Sequence, residues 1–170
     1  MARRFSLEKI TMEYPKLDEK APDFKLLNQE EQTRSLADYA GKWLVLYFYP
    51  KAMTPGCTTQ ACELRDHKAE LDAVNAVAVG LSPDATKRLT KFTERDSLNF
   101  DLLSDEDHAV ADAYGVWGLK KFMGKEYDGI HRTTFIINPE SKLVCVMNKF
   151  KTKTHHDDVL TLLGELQGKV

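Results

Sequence analysis

The sequence predicts an α/β fold, a mixed central sheet flanked by helices, and three observations predict it. Residues 43–49 and 74–81 are continuous apolar runs of strand length, as expected for central strands covered on both faces. Strand and helix patterns alternate through the early part of the chain. A hairpin pattern at 132–147 and an amphipathic helix then close it. The 170 residues fit one domain with a sizeable core. We place that domain at 21–170, after an N-terminal extension, 1–20, that is polar, mixed in charge and without a clear period, and that reads as loosely held.

In order, Ala21-Pro22-Asp23-Phe24 leads into a short strand at 25–27, and Asn28-Gln29-Glu30-Glu31 turns toward a second short segment ending at Leu36. Residues 35–39 read as one helical turn, closed by Gly41. The first central strand breaks at Pro50, the chain turns through Thr54-Pro55-Gly56, and a helix is expected over 58–71. Cys62, Leu64 and Leu71 are among its inward positions. After the second central strand, Ser82-Pro83-Asp84 is expected to cap a helix that ends near Asp96 and carries Leu89 and Phe92 on one face. Residues 100–103 read as a short strand. Ser104-Asp105 opens a helix ending at Tyr114-Gly115, with Glu106 and Asp107 in its favourable first turn. Residues 116–129 read as irregular and basic. Residues 132–138 pair with 143–147 across Pro139-Glu140-Ser141. In the last helix, from His155, Val159, Leu162, Leu163 and Leu166 recur at helical spacing.

Composition narrows the function classes. A hydrophobic share of 42% and a charged share of 29% are those of an ordinary globular chain. The net charge of −2 gives no electrostatic reason for nucleic acid or an anionic membrane as partner. No apolar run approaches the roughly 18 residues a spanning helix needs. The N-terminus lacks a signal-peptide apolar region, and its acidic residues oppose a mitochondrial address. Three cysteines do not make a secreted disulfide scaffold and suit a reducing compartment, so a cytoplasmic protein is expected.

The chemistry is expected where the first central strand hands over to its helix. Cys57 stands in a helical first turn, where unpaired backbone N–H groups and the helix dipole stabilise a thiolate. Cys62 follows with four residues between. In an intact helix, positions five apart are offset by about 7.5 Å along the axis and point about 140° apart. Their Cα atoms lie roughly 8–9 Å apart, beyond the roughly 7 Å limit for a disulfide without backbone movement. If these cysteines bond to each other, the first turns must unwind, and Gly56 with Thr58-Thr59-Gln60 makes that opening cheap. A thioredoxin-type dithiol has two intervening residues instead. Structural zinc needs four ligands at tighter spacing, and His67 is the only nearby addition. The plainer alternative is two small core residues on a helix. Cys145, inside an alternating strand, reads as a core residue.

Pro50-x-x-x-Thr54-x-x-Cys57 resembles the peroxiredoxin active-site motif, three residue types at fixed spacing. The surrounding YFYPKAMTPGCTTQACELRD is most similar to the bacterioferritin comigratory protein, or Q, class of that family. The similarity continues through NFDLLSDEDHAVADAYGVWG, KKFMGKEYDGIHRTTFIINPE and KFKTKTHHDDVL, covering roughly residues 21–166. It implies a thioredoxin-like fold and a thiol peroxidase for hydrogen peroxide and organic hydroperoxides that needs no metal or other cofactor. Cys57 matches the peroxidatic cysteine, and Cys62 the resolving cysteine of members that carry one in the same helix. Thr54 matches the hydroxyl residue beside the sulfur, Pro50 the residue that shields it, and Arg132 the arginine that reaches in from a later strand. The implied cycle runs through a sulfenic acid and an intramolecular Cys57–Cys62 disulfide, with thioredoxin or a similar dithiol as reductant and a monomer as the working unit.

Around that core, Gln60 occupies a position that is acidic in many other peroxiredoxins and is read as holding the arginine through its amide oxygen. His155-His156 reads as surface capping of the last helix rather than a metal site. Lys120, Lys121, Lys125 and the run from Lys149 to Lys153 read as solvated faces. Two rival functions remain. A general disulfide reductase is opposed by the four-residue spacing. A peroxide sensor or holdase would use oxidation of Cys57 to unfold the helix and expose a docking surface.

Overall fold

The computed structural model describes residues 13–168. Residues 1–12 of the expected extension lie outside the described residues. The elements are β1 (Lys25–Asn28), β2 (Thr33–Ser35), a 3₁₀ turn (Leu36–Tyr39), β3 (Trp43–Phe48), α1 (Pro55–Asp66), α2 (Lys68–Ala73), β4 (Ala76–Ser82) and α3 (Thr86–Asp96). They continue as β5 (Leu102–Ser104), α4 (Ala109–Ala113), β6 (Trp117–Phe122), β7 (Lys125–Ile130), β8 (Thr133–Ile137), β9 (Leu143–Met147) and α5 (His155–Leu166).

Seven strands form one mixed sheet in the order β2-β1-β5-β4-β3-β8-β9. β3 runs parallel to β4, and β4 to β5, while β8 returns antiparallel to β3. The period-2 geometry of β3 explains why its run is apolar throughout. Val45, Tyr47 and Tyr49 face one core with Cys57, Ala61 and Leu64 of α1, Leu89 and Phe92 of α3, and Val159 and Leu163 of α5. Leu44, Leu46 and Phe48 face the other, with Phe24, Leu36, Tyr39, Val110 and Tyr114. This is the thioredoxin-like, mixed-sheet architecture expected. Cys145 is buried in the sheet, as expected.

Register places the site. Phe48 pairs with Thr133, so Arg132, one residue before β8, arrives at the end of β3 where the chain turns into α1. Residues 13–20 are bonded to the body. Asp18 N–H donates to the Leu143 carbonyl at 2.7 Å and Leu143 N–H to that of Glu19 at 3.0 Å. Tyr14 packs edge-on against Phe135.

Four expectations are corrected. The helix expected over 58–71 starts earlier, at Pro55, whose missing N–H costs nothing at a first helical position. It also breaks at His67, which ends α1 and begins α2. Asp84 does not cap α3. Its carboxylate accepts from Ala52 N–H at 2.7 Å and Ser82 Oγ at 2.8 Å, tying the loop before α1 to the end of β4. Ser104 belongs to β5, and α4 starts at Ala109 under the carboxylate of Asp105, which accepts from Val110 and Ala111 N–H. Residues 116–129 are not irregular: β6 and β7 form a regular hairpin around Met123 and Gly124, with φ of 51° and 81°. Two consecutive positive φ values are what a two-residue hairpin turn requires. Methionine there is an unusual sequence signal for it.

Candidate active site

Thr54 is the N-cap of α1, Pro55 and Gly56 follow, and Cys57 is the third helical residue. Its thiol is 1% exposed, packed in the core that holds Tyr47, Tyr49 and Ala61. A sulfur with so little access to water depends on the protein for polar partners, and Arg132 provides them. Its Nη2 donates to Cys57 Sγ at 3.2 Å, and its Nη1 donates to Gln60 Oε1 at 2.6 Å. Gln60 is itself fully buried and stands one turn after Cys57 on the same helix. The planar guanidinium therefore spans two side chains of α1 with two of its donors.

Gly56 lies under this arginine. A Cβ there would stand 3.5 Å from Arg132 Nη2, with Thr152 next nearest. Pro50 is half-buried in the turn before α1. The Thr54 hydroxyl donates to the Lys51 carbonyl at 2.8 Å, which leaves its lone pairs to accept from a bound molecule. Cys62, by contrast, is only partly buried, and burial raises its pKa against the opposing pull of Arg65. Both cysteines are free thiols on one unbroken helix.

The fold adds residues that the sequence reading set aside. Lys120 is not a solvated lysine. Its ammonium donates to the Ile130 carbonyl at 2.8 Å, and burial first, then the Arg132 charge, lower its pKa. Lys121 and Lys125 are exposed as expected. His155 and His156 are not surface caps but buried, at 0% and 7% exposure. His155 Nε2 is hydrogen bonded to Thr134 Oγ1 at 2.8 Å. Burial, then the charges of Arg132 and His156, press its pKa down to about 3, so the imidazole is neutral beside the arginine. Tyr47 lies against His155 and Tyr49, and burial holds its phenol protonated. No sequence pattern points to these neighbours, because residues as far apart as Cys57 and Arg132, 75 positions along the chain, meet only through the sheet.

The AhpC/TSA family profile matches residues 17–146. The chain belongs to the AhpC/TSA family. It is 57% identical over 146 residues to the putative peroxiredoxin bcp of Haemophilus influenzae, covering 86% of this chain and 94% of that protein. It is 51% identical over 145 residues to peroxiredoxin Bcp of Escherichia coli, covering 85% and 93%. A solved structure of the Xanthomonas campestris bacterioferritin comigratory protein, described for its alkyl peroxide reduction activity, superposes with a TM-score of 0.79. The two are 36% identical, with coverage of 84% and 91%. Among the described residues no helix is long and apolar enough to cross a membrane.

Proposed function

We propose that the chain is a thiol peroxidase that reduces hydrogen peroxide and organic hydroperoxides at Cys57. The observation that carries this reading is the Arg132 fork, with one nitrogen on Cys57 Sγ and another on Gln60. The sulfur attacks one peroxide oxygen in line, the O–O bond breaks, and the other oxygen leaves as hydroxide or alkoxide and takes a proton. Negative charge that starts on sulfur ends on the leaving oxygen, and a fixed guanidinium beside both stabilises it throughout. The Thr54 lone pairs orient the peroxide by accepting its O–H. Pro50, without an N–H, keeps water from the sulfur.

Cys57 is left as a sulfenic acid. Cys62 then attacks that sulfur, water leaves, and a Cys57–Cys62 disulfide forms. The unbroken α1 holds the two cysteines too far apart for this bond, so the first turns of α1 unwind before resolution. Thioredoxin or a similar dithiol restores the pair by exchange, taking up the oxidation as its own disulfide. Three cysteines suited to a reducing compartment support a cytoplasmic enzyme, and the resemblance to the Q class of peroxiredoxins supports a monomer as the working unit.

The test is intact mass with peptide mapping after one equivalent of hydrogen peroxide is added to reduced protein. Loss of two hydrogens mapped to Cys57 and Cys62 is the expected result. Unchanged thiols would overturn the reading.

A further inference from the structure

Among the described residues outside the cysteine site, one group of side chains has the makeup of a metal ligand set. Glu63, on α1, and His67, at its C-cap, are four residues apart and share a helix face. His156, the second residue of α5, packs onto them. One ligand atom from each of the three lies within 4.8 Å of the others. The rings of His67 and His156 stack with centroids 4.1 Å apart. His156 Nε2 lies 3.7 Å from the Glu63 carboxylate and 3.3 Å from that of Asp157 at the rim. The His156 side chain is 9% exposed, and its Nδ1 is buried without a hydrogen-bond partner.

The hydrogen bond of His67 sets its state. Its Nδ1 stands 2.7 Å from the Glu63 backbone carbonyl, and a carbonyl only accepts, so the proton sits on Nδ1. That leaves Nε2 as the ring nitrogen available to a metal. A ring N–H given to a backbone carbonyl is the usual way a protein orients a histidine for metal. Two imidazoles and a carboxylate suit a borderline divalent ion and leave coordination positions for Asp157 or water.

We propose that Glu63, His67 and His156 bind a zinc ion, and that this ion clasps α1 to α5. Glu63 directly follows Cys62, whose swing out of the helix is needed for the disulfide. A metal bond from Glu63 to α5 opposes that swing and slows resolution. The slowing rests on the peroxidase reading above; the binding does not.

The probe is zinc itself, titrated calorimetrically into the full chain carrying Cys57→Ser and Cys62→Ser, so that the reactive thiols do not compete. One ion is expected to bind per chain, with affinity reduced at least about tenfold by Glu63→Gln and by His67→Ala. Both positions are partly exposed, so neither change empties the core. Equal affinity in those variants overturns the site, as does absence of binding, which would leave the cluster an ion-pair network. In the chain with its cysteines, saturating zinc is expected to slow disulfide appearance severalfold, and Glu63→Gln or His67→Ala to abolish the slowing. Equal slowing in the variants means that zinc acts on the thiols, and the clasp is wrong. If no disulfide forms even without zinc, the peroxidase reading fails while the binding result stands.

Discussion

Arg132 meets Cys57 and Gln60 at once, and at the scale of the residue this double contact sets what each substitution does. Arg132→Lys keeps the charge and loses the fork. Lysine offers a point charge on a flexible stem, which does not hold sulfur, leaving oxygen and Gln60 in one geometry. The expected result is a loss of about a hundredfold in kcat/KM for peroxide, measured by coupled peroxidase assay. Cys57→Ser should abolish peroxide reduction, and retained activity would move the chemistry to another thiol. Cys62→Ser separates the two half-reactions. The first oxidation should proceed, trapped as sulfenic acid by a specific probe, while dithiol-driven turnover falls away. Full turnover in that variant would show that another thiol resolves Cys57.

At the scale of the element, α1 and α5 carry the behaviour. α1 as a continuous helix holds Cys57 and Cys62 apart, and the proposed disulfide requires it to open, so oxidised protein should show faster amide exchange over residues 55–62 than reduced protein. Equal protection in both forms would sink the unwinding step. α5 contributes the pH dependence through His155, whose pKa falls from 6.5 to about 3 on folding, mainly through burial. Between those values the unfolded chain binds a proton that the folded chain refuses, so stability rises with pH and is lost as pH falls below 6.5. The full slope from one such group is about 1.4 kcal/mol per pH unit. Replacing His155 with glutamine, which can still bond to Thr134, should flatten the stability curve between about pH 6 and 4. Urea unfolding across that range measures it, and parallel curves for parent and variant would exclude His155 as the cause.

At the scale of the whole molecule, residues 13–20 are part of what the sheet holds. Gly115 has φ of +73°, and a Cβ there would fall 2.2 Å from the Glu13 carbonyl oxygen. Gly115→Ala must therefore strain the backbone and push the segment away. We expect a loss of about 2 kcal/mol or more, seen as a thermal midpoint lower by several degrees. An unchanged midpoint would mean that this approach is relaxed in solution.

Much of this was legible before any coordinates. The apolar runs gave β3 and β4, because a strand covered on both faces has no polar side to show. The helical recurrence of Val159, Leu162 and Leu163 gave α5, and all three are buried. Cys57, Thr54 and Pro50 sit within eight residues, so local spacing alone brought them together and exposed the conflict between one helix and one disulfide. Other features had no local signal. The β6–β7 hairpin turns on a methionine, and its exposed strands lack the apolar alternation that announces a half-buried strand. His155 and His156 looked like polar caps, since nothing nearby in sequence says that Thr134, Glu63 and His67 will close over them. The sequence by itself determined most of the elements and the candidate nucleophile, and showed that a Cys57–Cys62 bond would require α1 to open, because those follow from periodicity and spacing along the chain. Only the tertiary structure decided what surrounds the sulfur and what joins α1 to α5, because β-sheet register, not chain distance, brings Arg132 to Cys57, and packing of one helix on another brings His156 to Glu63.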